Sequence, residues 1–172
     1  MSPTIRILVF AALGVLTLHG QSANPAIRIG TYDSRAIAVA YARSGMPDKL
    51  TAQLIAERDK ARAAGDEKRV RELEAQGKAQ QTRLHQQGFS TGSVANLMEK
   101  IRPEIPAVAR AAGVVLVVSK WEVMYRDPAV QYVDVTIPLV RAFSTDPQVL
   151  SLVEELMKHD PIPLDQLPPD ME

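Results

Sequence analysis

Between Asp48 and Arg102 the chain carries no proline, although it has 12 in 172 residues, and this stretch is filled with Ala, Gln, Glu, Lys, Arg and Leu. Nearly all of these are good helix formers, and nothing in the interval forces the backbone out of a helix. Apolar positions are sparse. Leu50 and Leu54 stand one turn apart, and Val70, Leu73 and, after Gly77 and Gln80, Leu84 continue at three- and four-residue spacing. A stripe this narrow is a seam between two helices and cannot be the broad face of a helix sunk into a globular interior. At Ala63-Ala64-Gly65-Asp66 the sequence offers a glycine to end one helix and an aspartate to cap the next. The spacing therefore predicts two helices, 34–64 and 67–87, folded back as a long antiparallel hairpin.

A core must then come from the two ends of the chain. After Tyr41, only Phe89 interrupts an aromatic-free stretch that lasts until Trp121. Residues 26–32 alternate as a strand, with Asp33 or Ser34 placed to cap the following helix. Val114-Val115-Leu116-Val117-Val118 is a continuous apolar run, the pattern of a strand buried on both faces. Residues 122–126 read as a third strand closed by the turn dipeptide Asp127-Pro128, and 133–136 lead into a short helix over 137–143, with Asp134 or Thr136 as cap and Pro138 in its first turn. Gly88 to Ser93 breaks the returning helix and is a hinge candidate. Ser93 can cap its resumption, Pro103 and Pro106 kink it, and Gly113 ends it. The fold class expected is α+β: a small β-sheet body (26–33 and 111–143) from which a helical arm (34–110) extends.

The ends carry further signals. Residues 7–18 form an uncharged apolar run after Arg6, the length of a signal-peptide h-region and shorter than the ~20 residues a membrane span needs. We read residues 1–23 as a signal peptide, leaving a chain with no stable membrane insertion after cleavage. At the other end, 144–172 carries a net charge of minus six and five of the prolines. An amphipathic helix is expected over 147–158 through Val149, Leu152, Val153 and Leu156, with disorder from Asp160 onward.

Several chemistries find no support. Acidic and basic side chains balance at 20 each, so no global basic field holds nucleic acid. There is no cysteine, which removes disulfides, thiolate nucleophiles and Cys-ligated zinc. His85 and His159 have no partners at metal-ligand spacing and read as exposed surface residues, while His19 departs with the signal. No phosphate-binding glycine motif and no nucleophile elbow occurs, so ATP and hydrolase chemistry are not implied. Ser119-Lys120 would point to opposite faces of a strand, and Asp127 and Asp134 are explained by turn and cap duties. We expect no enzyme activity, no cofactor and no metal.

Residues 111–120 (Ala-Ala-Gly-Val-Val-Leu-Val-Val-Ser-Lys), 123–130 (Val-Met-Tyr-Arg-Asp-Pro-Ala-Val), Val133-Asp134-Val135-Thr136 with Leu139-Val140, and the opening Ile29-Gly30-Thr31-Tyr32-Asp33-Ser34-Arg35 form a pattern that resembles the OmpH/Skp family of periplasmic chaperones. The resemblance runs from about residue 27 to 143 and is strongest over 111–140. It implies a periplasmic homotrimer in which small sheets assemble a β-barrel body and the hairpins stand as tentacles around a cavity. Unfolded outer-membrane or other exported proteins would be held there without ATP. The arm is shorter and less basic than the family pattern, and the acidic tail is additional. On this reading Leu50, Leu54, Val70, Leu73 and Leu84 are arm-seam or client-contact residues. Ile27, Ile29, Val115, Val117, Trp121 and Tyr125 are body or oligomer-interface residues. The alternative is a coiled-coil structural or adaptor protein of the cell envelope that binds one folded partner.

Overall fold

The computed structural model describes residues 26–168. The signal-peptide expectation falls outside them. The chain is a mixture of helix and sheet. Strand β1 (Arg28–Tyr32) leads into helices α1 (Ser34–Ala42), α2 (Met46–Ala63) and α3 (Glu67–Phe89). Two short helices follow, α4 (Ala95–Met98) and α5 (Ile105–Ala112), with a 3-10 turn at Glu99–Ile101 between them. Strands β2 (Leu116–Ser119) and β3 (Gln131–Asp134) then precede α6 (Thr136–Val140) and α7 (Pro147–Leu156). β1 is the middle strand. It pairs in parallel with β2, Ile29 opposite Leu116, and with β3, Ile29 opposite Tyr132. Gly30 sits at its centre because a Cβ there would press on Val114 and Val135 side chains at 3.1 and 3.2 Å.

The main core gathers on α1. Ala36, Ile37, Ala38, Ala40 and Tyr41 are all buried, and α3, α6 and α7 pack against this one helix. Its alanines let three neighbours come close, since interhelical distance follows side-chain size at the contact. Leu97 and Ile101 come from the α4 region, Val135, Leu139 and Val140 from the start of α6, and Val149 and Val153 from α7. α1 thus belongs to the body, which corrects the reading of 34–64 as one arm helix. The break lies at Gly45, whose φ of 73° is a left-handed conformation that glycine adopts without strain. Pro47 then occupies the first turn of α2.

Further expectations are corrected. The third strand is 131–134, not 122–126. Asp127 does make its turn, its carboxylate accepting from Ala129 N at 2.8 Å, but the turn precedes the strand instead of closing one. Residues 120–130 return the chain from the end of β2 to the start of β3, as two strands that both run parallel to β1 require. The run 114–118 is not buried on both faces either: Val114 is inside, whereas Val115 is 79% exposed. The short helix at 136–140 has Val135, not Asp134 or Thr136, at its N-cap position, and Asp134 just before it accepts from Thr136 N at 2.7 Å. α7 begins on an Asp146 cap. Residues 160–168, expected to be disordered, run as an extended strap with a 3-10 turn at Leu164–Gln166, and Ile162 N donates to Phe89 O at 2.9 Å.

The ends of the strands are tied by one buried carboxylate. Asp33, with no exposed surface, caps α1 by accepting from Arg35 N, and it also receives Arg35 Nε and NH2 at 3.1 and 2.8 Å. Lys120, just beyond β2, reaches it at 2.8 Å, and the Trp121 indole N–H donates to it at 3.3 Å. Its own backbone N–H donates to Thr136 Oγ1 beyond β3. Burial alone would raise the Asp33 pKa, but hydrogen bonds from Arg35 and Lys120, together with their charges, more than offset it and hold the carboxyl below its ordinary value. A folded-state pKa below the unfolded one means the contribution to stability is present above the unfolded aspartate range near ~4 and is lost as pH falls through the folded pKa. Asp33→Asn keeps a capping side chain but leaves Arg35 buried without its anion. We expect a loss of about 3 kcal/mol in urea unfolding at neutral pH. The gap between the two proteins should shrink on acidification below pH ~4, and an unchanged gap would contradict this assignment.

Candidate functional site

α2 and α3 lie against one another across the Ala64–Gly65–Asp66 turn, where Asp66 caps α3 by accepting from Arg69 N at 2.9 Å. Near the turn the seam is closed by Ala61, Val70 and Leu73, with Leu54 packed on them. Ion pairs cross it, Arg62 to Glu74 at 3.3 Å and Arg69 to Glu57 at 3.1 Å. These side chains are about half exposed, so they set register and add little stability. Beyond Ala61, Val70, Leu73 and Gln87, no residue of α2 or α3 is fully buried.

Toward the body the seam opens. Between α1, α2 and α3 lies a groove of about 860 Å³, partly open to solvent. Tyr41 and Ala42 of α1 contribute to its lining, Leu50, Leu54 and Ile55 line it from α2, and Leu84, His85 and Phe89 from α3. Ile55 and Phe89 remain 44% and 43% exposed. Gly77 and Gly88 also line it, and a Cβ at either would meet nothing within 4 Å. A glycine inside a helix costs roughly 1 kcal/mol relative to alanine. No close neighbour accounts for either glycine, so both widen the groove. Volumes of roughly 300–1,000 Å³ are typical of sites that hold a ligand's apolar parts. Arg58, Glu74 and Lys78 stand among the lining residues.

The structure sorts the predicted site residues into three settings. Val70 and Leu73 are seam residues, and Leu54 serves both seam and groove. Leu50 lines the groove and is exposed, while Leu84 lines it and also packs on the main core. In the body, Val117 packs on the core and Ile29 is half-buried in β1. Trp121 is half-buried, with Arg35 and Lys120 over its ring at 5.2 and 4.4 Å. Ile27, Val115 and Tyr125 are exposed, Tyr125 by 74%, together with Leu116 and a fully exposed Met124. His85 is not a plain surface residue: it is half-buried and meets the Phe89 ring edge-on at 5.8 Å. His159 is exposed beside Glu155. Sequence reasoning missed Ile55, Phe89 and the two groove glycines. Their signal was present as glycines within a helix facing a Leu50–Leu54 stripe.

Among the described residues no cluster of His, Asp or Glu could hold a metal ion, and no helix is long and apolar enough to cross a membrane. No family model, curated protein or solved structure matches the chain.

Filling the groove gives a direct check on its openness. Gly77→Ala should raise stability by about 1 kcal/mol in urea unfolding, as helix propensity dictates where no clash exists. Gly77→Leu should remain folded but lose uptake of an apolar environment-sensitive dye. A destabilised alanine variant would mean that the space beside residue 77 is occupied.

Proposed function

We propose that this protein is an ATP-independent holdase of the periplasm that binds unfolded outer-membrane or other exported chains through its helical hairpin, in the manner of the OmpH/Skp family that its sequence resembles. The observation that carries the reading is the groove. A helical pair that buries so few of its own apolar side chains, and keeps Leu50, Ile55 and Phe89 accessible around an open, glycine-widened channel, has apolar surface available to another chain. The surrounding helix surface is salt-bridged and solvated, which keeps such a surface soluble.

Magnitudes favour weak, multiple engagement. Burying one Leu- or Phe-sized side chain is worth about 1.5–3 kcal/mol, so two client side chains in one groove give about 4 kcal/mol before ordering costs. That corresponds to a dissociation constant of about 1 mM, too weak to hold a chain alone. Several grooves acting on one client multiply this through effective concentration. Self-association supplies the several copies, and we propose a homotrimer joined through the sheet end of the body. Ile27, Val115, Leu116, Met124 and Tyr125 are exposed there, and β2 and β3 are edge strands with one side unpaired. On this reading the hairpins of the three copies surround a common cavity.

Two measurements test the proposal together. In light scattering, a stoichiometric amount of protein without nucleotide should keep a urea-denatured β-barrel client soluble on dilution, and Gly77→Leu should lose most of that protection. Sedimentation should give a trimer. Saturable binding to a folded protein with no suppression of aggregation would replace this function with the adaptor reading.

A further inference from the structure

The last part of the chain does more than hang from the body. α7 lays Val149 and Val153 against α1, and Phe143, just before it, meets Tyr41 edge-on with ring centroids 6.2 Å apart. Tyr41 lines the groove. From α7 the chain continues to Pro161-Ile162-Pro163, where the Ile162 N–H donates to the carbonyl of Phe89 at 2.9 Å. Phe89 is the last residue of α3, part of the groove wall, and meets His85 edge-on. One segment therefore touches the groove from behind both α1 and α3.

The junction it touches is the place where α3 joins the body. Gln87 is buried and donates through Nε2 to Ser93 O and Asn96 Oδ1, both at 2.6 Å. Gln86 O accepts from both Ser90 N and Gly92 N at 3.2 Å, and a Cβ on Gly92 would lie 2.9 Å from that same oxygen. Yet Gln87 Oε1 and Ser90 Oγ are buried without a partner. Leaving buried polar atoms unpaired is costly, so a rearrangement of the junction that pairs them is favoured. A Cβ on Gly88 would meet nothing within 4 Å, so the last turn has room to move on that side.

We propose that residues 144–168 are a brace that fixes the α3 wall of the groove, the Ile162–Phe89 bond being its outer fastening, so that releasing the strap lets the end of α3 move and changes the groove's width. Its role in client binding rests on the holdase reading above, whereas the mechanical coupling stands independently of it.

A single donor tests the coupling. Ile162→Pro removes the N–H and closes a ring on that nitrogen, in a Pro-x-Pro segment already extended at Pro163, with φ −54° and ψ 140°. Ile162→Ala keeps the donor and removes most of the side chain. In hydrogen exchange on the full chain, Ile162→Pro should accelerate exchange over 84–90 about five-fold, the ratio that one net hydrogen bond supplies. Ile162→Ala should leave those amides unchanged, and β1 and α1 should stay protected in both. Unchanged exchange in Ile162→Pro, or equal acceleration in both variants, would overturn the brace. Holdase activity is read in parallel: an inactive parent protein would remove the client-binding role while leaving the exchange result to judge the coupling alone.

Discussion

The carboxylate of Asp33 is the tie on which the rest of the body depends. It sits where β1 becomes α1 and takes Lys120 and Trp121 from beyond β2, while the backbone N–H of the same residue donates to Thr136 Oγ1 beyond β3. Among the described residues this small parallel sheet has strands of only four or five residues and two edge strands, so ladder bonds alone would hold it poorly. Collecting a guanidinium, an ammonium and an indole on one buried anion fixes where β1 and β2 stop, and the Asp33 N–H to Thr136 bond does the same for β3. It also sets where α1 starts and how it enters the core. Burying charge is favourable only when the ions are paired and hydrogen-bonded, and here Asp33 and Arg35 satisfy each other almost without solvent.

From that fixed start, α1 organises everything that follows. Its alanine-rich surface brings α3, α6 and α7 onto one helix, and the turn at Gly45 sends α2 away from it. The pair α2–α3 is then closed by a small apolar cluster near its turn and left open near the body. The groove is a consequence of this difference, and the glycines at 77 and 88 enlarge it. Such a layout separates two demands on the same chain. Stability is concentrated in α1 and its neighbours, while the hairpin keeps apolar side chains that its own fold does not consume. A binding surface made of several shallow contacts suits an unfolded client of no fixed shape, which is why the holdase reading fits this hairpin better than a deep pocket would.

Signals that act over two to four residues were legible in the sequence. Asp33, Asp66, Asp134 and Asp146 each bond the backbone a few residues on, and Gly113 adopts the left-handed conformation that ends α5. These features need no tertiary context. The errors share the opposite character. Val115 and Leu116 look like interior strand residues, but β2 is an edge strand and leaves both exposed. Met124 and Tyr125 have strand-like composition, yet register with β1 was won by 131–134. Ser44-Gly45-Met46-Pro47 carried a visible stop and restart that the long run of helix formers masked. The groove was half legible: the Leu50–Leu54 and Val70–Leu73 positions marked a seam, but only the path of α2 relative to α1 decides where that seam opens.

The most direct test places a photo-crosslinking side chain at position 77, inside the groove, or at position 68, on the solvated side of the same helix, where Lys68 is 84% exposed. Each protein is irradiated while a urea-denatured outer-membrane barrel is diluted into buffer. If the groove receives unfolded chains, position 77 should yield the client adduct and position 68 little or none. Equal adducts at both positions, or none at 77, would contradict the account.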